Sequence, residues 1–176
     1  MTIRAKATID LGSIKSNIKH LKSLTDSSVM AVVKADAYGH GLVPVAKAAI
    51  EAGAEWLGVA LLEEAFTLRQ SGITVPILSW LAPSGSDFAR AKKENIDIAI
   101  SSLKVLSEIP TGSRVHLEVD TGMTRGGFLS EWQQLFRTDL SKYELVGIFS
   151  HFARADEPAE SQNKLQLENF EKFIAD

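Results

Sequence analysis

The 176-residue sequence contains no cysteine, which excludes disulfide bonds, thiolate metal sites, iron–sulfur clusters and a cysteine nucleophile. No apolar run approaches the roughly 18 residues of a membrane span, and the charged start, MTIRAKATIDLGSIK, lacks the apolar core of a signal peptide. Lys and Arg number 19 against 22 Asp and Glu, so the net charge of −3 points to neither nucleic acid nor a membrane as a partner. These absences predict a cytoplasmic protein.

Short β-branched runs alternate with segments of helical periodicity along most of the chain. The predicted strands are 29–34, 56–60, 75–80, 96–100, 114–120 and 145–151. The predicted helices between and after them are 45–51, 62–70, 87–94, 102–108, 131–136 and 160–174. A further strand over 3–9 and a helix over 13–23 are predicted before this repeat. Most of the strands are almost continuously apolar, which is typical of strands covered on both faces.

This alternation predicts an α/β fold with a parallel sheet, either doubly wound or closed into a barrel. A complete (β/α)8 TIM-type barrel needs eight units and about 250 residues. Because six units are present, we interpret the sequence as such a barrel truncated to about six βα units. Residues 1–176 are then a single, incomplete domain.

The segment from Lys34 to Gly41 is the first candidate for chemistry, because active-site residues in parallel α/β folds follow the carboxyl ends of strands. Partial desolvation of a lysine at such a strand end favours Schiff-base chemistry. A lysine that merely extends from the strand into solvent is the structural alternative. The glycine-flanked turn at Tyr38–Gly41 indicates backbone held close to a ligand, or an ordinary turn before the next helix.

The sequence KADAYGHG at residues 34–41 resembles the attachment motif for pyridoxal 5'-phosphate (PLP) in alanine racemases. Three other segments resemble the same family in the same order: GAEWLGVALLEEAFTLRQSGI at 53–73, VDTGMTRGGF at 119–128 and GIFSHFARADEP at 147–158. The resemblance covers essentially the whole sequence but about the first half of the usual family chain. The last two barrel units and the C-terminal β domain are not part of it.

The resemblance implies a role for five residues, and PLP as the cofactor. Lys34 binds the cofactor covalently and acts as a catalytic base, while Tyr38 directs its hydroxyl to the cofactor phosphate. Arg125 holds a carboxylate or the phenolic oxygen of the cofactor, and His151 contacts the pyridine ring. Trp80 contacts the cofactor at a position where the family often has leucine, although a tryptophan in a barrel core is the structural alternative. No metal site is implied.

Glu118 departs from the family pattern, because many members have a lysine there that is often carbamylated. On the predicted strand, Glu118 shares a face with His116 and Asp120, opposite Leu117 and Val119. We therefore predict that the Glu118 carboxylate points inward and lies within hydrogen-bond or one-water reach of Arg125.

The resemblance implies interconversion of L- and D-alanine for peptidoglycan precursor synthesis by a homodimer. In that family the second base is a tyrosine from the C-terminal domain of the partner. We accordingly expect the 176-residue chain alone to be inactive. The alternatives are another PLP barrel protein, such as a broad-specificity amino-acid racemase, a D-amino-acid dehydratase or a PLP-homeostasis protein, or a non-catalytic fragment.

Overall fold

The protein is described for residues 5–175 from a computed structural model, and it divides into two compact units, Met1–Ser79 and Trp80–Asp176. Both units are α/β, as predicted. The strand predicted over 3–9 is wrong for residues 5–9, which are exposed, carry no regular structure and lead directly into the first helix. Residues 3 and 4 lie outside the described part.

The first unit contains a three-stranded parallel sheet and four helices. Its elements are α1 (Leu11–Lys22), β1 (Met30–Val32), α2 (Lys34–Gly39), α3 (Leu42–Glu51), β2 (Trp56–Val59), α4 (Leu62–Gln70) and β3 (Ile77–Ser79). Strand β2 pairs with both β1 and β3. The core is apolar, and Leu57, Leu68 and Ile77 are fully buried in it.

Helix α1 lies against α3, with Ile14 and Ile18 half-buried and none of its residues fully buried. The Asp10 carboxylate caps its start by accepting from the backbone N–H groups of Gly12 and Ser13, at 2.8 and 3.2 Å. Lys15 and Lys22 then form ion pairs with Glu51 of α3 and with Glu55. These exposed pairs contribute orientation more than stability.

The second unit repeats the same arrangement. Its elements are α5 (Phe88–Lys93), β4 (Asp97–Ile100), α6 (Leu103–Glu108), β5 (Arg114–Glu118), α7 (Trp132–Leu135), β6 (Glu144–Phe149) and α8 (Ser161–Ala175). Strand β5 pairs in parallel with β4 and β6, with a register shift against β6 between Val115 and His116. Helices α7 and α8 meet through Phe173, whose ring centroid lies 3.7 Å from that of Trp132 and 5.5 Å from that of Phe136.

All six strands of the predicted repeat are present in residues 5–175, and α4 has the predicted bounds. The prediction that Lys34 ends the first strand is wrong. Strand β1 ends at Val32, and Lys34 begins α2, a turn that the sequence pattern did not predict. Within the described residues, no helix combines the length and the apolar character that crossing a membrane requires.

A charged cluster lies at the amino ends of the strands in the second unit. Asp97, only 1% exposed, accepts hydrogen bonds from Arg114 at 2.8 and 3.2 Å and is 3.0 Å from the His116 ring nitrogen. Burial raises the pKa of Asp97, but the hydrogen bonds from His116 and Arg114 outweigh it and lower that pKa overall. Arg114 is also paired with the exposed Glu144. Amino-terminal strand ends of such folds carry stability rather than catalysis.

We expect Asp97→Asn to lower the free energy of unfolding by about 3 kcal/mol near neutral pH, because it leaves the Arg114 charge without its buried partner. The lowered pKa means that this stabilisation is present above the ordinary value of 3.8 and is lost as the pH falls through the folded-state pKa. Urea unfolding between pH 3 and 7 measures both effects. The control Glu144→Gln, at a side chain 59% exposed, should cost less than about 1 kcal/mol. Equal losses of unfolding free energy in the two variants would contradict the conclusion that Asp97 is the main partner of Arg114.

Candidate active site

Lys34 lies on a left-handed turn in the first unit. The four residues after it, Ala35–Tyr38, have φ between 51° and 54° and ψ between 40° and 50°. None of them is glycine, so each costs roughly 1–2 kcal/mol relative to the right-handed conformation. The turn brings the half-buried Lys34 to the Tyr38 ring, with Nζ 5.6 Å from the ring centroid. Tyr38 itself is 66% exposed, which leaves its hydroxyl accessible.

The Glu64 carboxylate holds this turn in place. It accepts hydrogen bonds from the backbone N–H groups of Ala35 at 2.5 Å, Ala60 at 3.0 Å and Leu61 at 2.9 Å. Glu64 lies in the first turn of α4, where a carboxylate is favourable for the helix dipole. Sequence reasoning missed this residue, and the available signal was a glutamate at the third position of α4, which can bind the N–H group of Leu61 before the helix.

Asp36 and His40 complete the support of the turn. The Asp36 carboxylate accepts the backbone N–H of Leu42 at 2.6 Å, at the start of α3. The His40 ring nitrogen Nδ1 lies 2.9 Å from the Ala37 carbonyl oxygen. These hydrogen bonds offset the backbone strain and fix the direction in which Lys34 leaves the chain.

In the second unit, the segment after β5 forms a closed loop, defined here as the Arg125 loop, residues 120–128. The buried Asp120 carboxylate accepts the backbone N–H groups of Gly122 at 2.9 Å and Thr124 at 3.0 Å. The loop then returns to the strand, where Phe128 N–H donates to the Glu118 carbonyl at 2.8 Å. Both ends of the loop are therefore tied to β5.

Gly127 allows this return because it carries no side chain. Its φ is +106°, and a Cβ there would lie 2.6 Å from the Asp120 nitrogen and 2.8 Å from the Val119 carbonyl carbon. Both obstacles are backbone atoms, so neither can move aside as a flexible side chain would. The glycine of the RGG segment is therefore a steric requirement of the loop.

We expect Gly127→Ala to destabilise the protein by about 2–4 kcal/mol, through backbone strain and overlap with the backbone of Val119 and Asp120 together. The matched control is Gly72→Ala, where φ is +85° and an added Cβ meets no atom within 4 Å. The free energy of unfolding of that variant should fall by about 1 kcal/mol, because only backbone strain is added. Urea denaturation of both variants measures the difference. Equal losses would show that the close approach is not required.

Glu118 is half-buried and lies beside the Arg125 loop. A Cβ on Gly126 would lie 3.6 Å from each Glu118 carboxylate oxygen. Burial raises the pKa of Glu118, the positive charge of Arg125 opposes this shift, and the charge of Asp120 adds to it. Within residues 5–175 no direct ion pair joins Glu118 and Arg125. The one-water contact between them stays a prediction.

The raised pKa means that ionised Glu118 costs stability. Between the ordinary pKa of 4.5 and the raised folded-state value, the folded protein holds a proton that the unfolded chain releases. Stability therefore falls as the pH rises through that window. We expect Glu118→Gln to unfold at higher urea concentration than wild type at pH 7.5 and to approach wild type at pH 4.

Urea titrations at the two pH values provide the measurement. The control is Glu171→Gln on α8, at an exposed position, which should leave the curves unchanged at both pH values. A Glu118→Gln variant that is less stable than wild type at pH 7.5 would contradict the conclusion that the ionised Glu118 carboxylate destabilises the fold.

The remaining predicted site residues lie in the second unit. His151 is two residues beyond the end of β6, exposed, with its carbonyl oxygen bound to the Gln166 side chain at 2.9 Å. Trp80 directly follows β3 and is half-buried. The structure thus brings Lys34 to Tyr38 in one unit and Glu118 to the Arg125 loop in the other.

The sequence model of the family described as "Alanine racemase, N-terminal domain" matches residues 9–176. The chain belongs to this family. Among curated relatives named alanine racemase, that of Salinispora tropica is 41% identical over 184 residues and that of Beutenbergia cavernae is 45% identical over 171. The matches cover 97% and 89% of this chain but 50% and 45% of the relatives.

Solved alanine racemases have the same fold. The structure from Streptomyces lavendulae superposes with a TM-score of 0.91 at 38% identity, covering 95% of this chain and 47% of that one. The structure from Streptomyces coelicolor A3(2) gives a TM-score of 0.91 at 36% identity, covering 95% and 49%. These likenesses confirm the predicted barrel-like α/β fold of the alanine racemase N-terminal domain. The chain spans about half the length of the relatives that it matches.

Proposed function

We propose that this chain is the part of an alanine racemase that carries PLP on Lys34, in an enzyme that interconverts L- and D-alanine. The observation that carries the proposal is the half-buried residue Lys34, with its amine near the Tyr38 ring, on a strained turn bound by Glu64. Strain of this kind persists where the surrounding contacts enforce it, and it is typical of functional sites. The relatives named alanine racemase favour this function over that of other PLP barrel proteins.

The residues of the turn fit the chemistry of PLP. A primary amine is the group that an aldehyde cofactor needs for covalent attachment. The exposed Tyr38 hydroxyl can donate to a phosphate. At Gly39 no atom lies within 4 Å of a Cβ position, so the backbone there is open to a ligand.

When bound, PLP supplies the electron sink that makes the Cα proton of an amino acid acidic. Lys34 would move that proton on one face of Cα, and Tyr38 would hold the cofactor phosphate by its hydroxyl. Arg125 would orient the substrate carboxylate or the cofactor phenolic oxygen through its fixed charge. His151 would pack on the pyridine ring, and Trp80 would contact the cofactor.

Glu118 would act on Arg125 rather than on the substrate. Its carboxylate lies against Gly126, next to Arg125 in the chain, and the two charges attract. A native glutamate would thereby supply the anion that carbamylated lysine supplies in related sequences. The fold would thus lose some stability because Glu118 is ionised, and in return Arg125 would be held in position.

The proposal extends to the whole enzyme that carries this chain. We propose a cytoplasmic homodimer whose partner supplies a tyrosine as the second base, and whose D-alanine enters cell-wall peptide synthesis. A two-base arrangement requires a proton-transferring group on each face of Cα, and Lys34 provides one of them.

In the enzyme that carries this chain, Lys34→Ala should lower racemase turnover by at least about 10²- to 10⁴-fold, because both the covalent attachment and one base are lost. Turnover is measured by circular dichroism of alanine. Borohydride reduction of the PLP-loaded wild type, followed by peptide mass analysis, should label Lys34. The control Lys47→Ala, at an exposed position on α3, should retain turnover and labelling. Near wild-type turnover in Lys34→Ala, or labelling of another lysine, would contradict the proposal.

A further inference from the structure

Helix α8 presents a row of side-chain amides to the loops that follow β5 and β6. The row consists of Gln162, Asn163, Gln166 and Asn169, whose spacing places them on one helix face. Gln162 donates to the Gly122 carbonyl at 3.3 Å, and Asn169 donates to the Thr121 carbonyl at 3.1 Å. The row therefore binds backbone groups that strand pairing leaves without a partner.

Gln166 is the most deeply buried member of this row, at 2% exposure. Its Oε1 accepts the backbone N–H of Ala153 at 2.9 Å, which fixes the orientation of the amide. Its Nε2 then donates to the His151 carbonyl at 2.9 Å and to the Thr121 hydroxyl at 3.1 Å. Both donors and the acceptor are used, and they reach two separate loops.

The Thr121 hydroxyl connects Gln166 to a further residue, Ser150. It accepts from Gln166, so its own hydrogen is available to donate to the Ser150 hydroxyl, 2.7 Å away. The chain of hydrogen bonds thus joins α8 to the carboxyl ends of β5 and β6. Such chains polarise each other and define one geometry more sharply than separate contacts do.

Gly122 packs directly on the Gln166 side chain. Its φ is +139°, and a Cβ there would lie 3.3 Å from the Gln166 Cγ. The glycine of the DTG segment thus gives Gln166 the space to reach Thr121. A purely apolar residue at position 166 would fill this space but could bind neither loop.

We propose that Gln166 is a positioning residue that holds the Arg125 loop and the His151 segment in register for the reaction. The inference rests on the proposed function, because Arg125 and His151 are the residues that it would position. Thr121 lies four residues before Arg125 in the loop, and the His151 carbonyl is bound directly. Misplacement of catalytic groups by about 1 Å can cost on the order of 10²-fold in rate.

The test uses Gln166→Met in the PLP-loaded enzyme, because methionine keeps the length of the side chain and removes its hydrogen bonds. Gln166→Glu is the second variant: a carboxyl group has at most one hydrogen to donate, so it cannot make the contacts to Ala153, His151 and Thr121 together. The matched control is Phe173→Leu, a buried position on the same helix that packs on Trp132 and Phe136 instead of the loops.

Three measurements are made on each variant: kcat and KM for alanine, visible circular dichroism of the cofactor, and amide hydrogen exchange at Ala153. In Gln166→Met we expect exchange at Ala153 to accelerate about tenfold, since its acceptor is lost. We expect kcat to fall about 10- to 100-fold with KM changed less than about threefold, and the dichroism of the cofactor to change. Phe173→Leu should lower the melting temperature with all three readouts near wild type.

The outcomes separate the two proposals. Wild-type enzyme without racemase turnover or without labelling of Lys34 overturns the proposed function, whatever Ala153 shows. Turnover retained within about twofold in Gln166→Met overturns the positioning role, even if exchange at Ala153 accelerates. Equal losses of kcat in Gln166→Met and Phe173→Leu overturn it as well. If Gln166→Met does not fold, the same criteria apply to Gln166→Glu.

Discussion

Backbone N–H and C=O groups in the loops that leave parallel strands have no ladder partner, and each one buried without a hydrogen bond costs about 1–3 kcal/mol. In this protein side chains supply the partners. Glu64 binds one N–H group in the Lys34 turn and two just before α4, Asp120 binds two in the Arg125 loop, and Gln166 binds the segment after β6. The loops that carry the proposed site residues depend on these contacts for their conformation.

In the second unit, a carboxylate charge stabilises the fold at the amino ends of the strands and destabilises it near their carboxyl ends. At the amino ends, Asp97 has a lowered pKa because Arg114 and His116 bind its carboxylate, so the charge stabilises the fold. Near the carboxyl ends, burial raises the pKa of Glu118 and its charge costs stability. Perturbed charges of this kind cluster at functional sites. The contrast therefore agrees with our proposal of a site at the carboxyl ends.

Backbone strain is greatest in the turn after Lys34. Four consecutive non-glycine residues are left-handed there, in a segment proposed to bind the cofactor, whereas Asn95 and Thr124 are single residues of this kind. The left-handed turn is held by hydrogen bonds that the Glu64 and Asp36 carboxylates accept from backbone N–H groups at and beyond it. Strain kept in this way is typical of functional sites, and it belongs to the site that we propose.

The sequence by itself determined the six strands of the repeat and their alternation with helices, because hydrophobic periodicity is a local property that survives in the folded state. It also singled out Lys34, Tyr38 and Arg125, since each lies in a contiguous motif, and their roles stay predictions. It did not determine the irregular segment 5–9 or the turn α2. Only the tertiary structure decided where strand β1 ends and that the turn after it is left-handed. It also decided the roles of Glu64 and Gln166, whose bonds to Ala35 and Thr121 span 29 and 45 residues. Contacts over such separations depend on how strands and helices pack, and no local pattern contains that information.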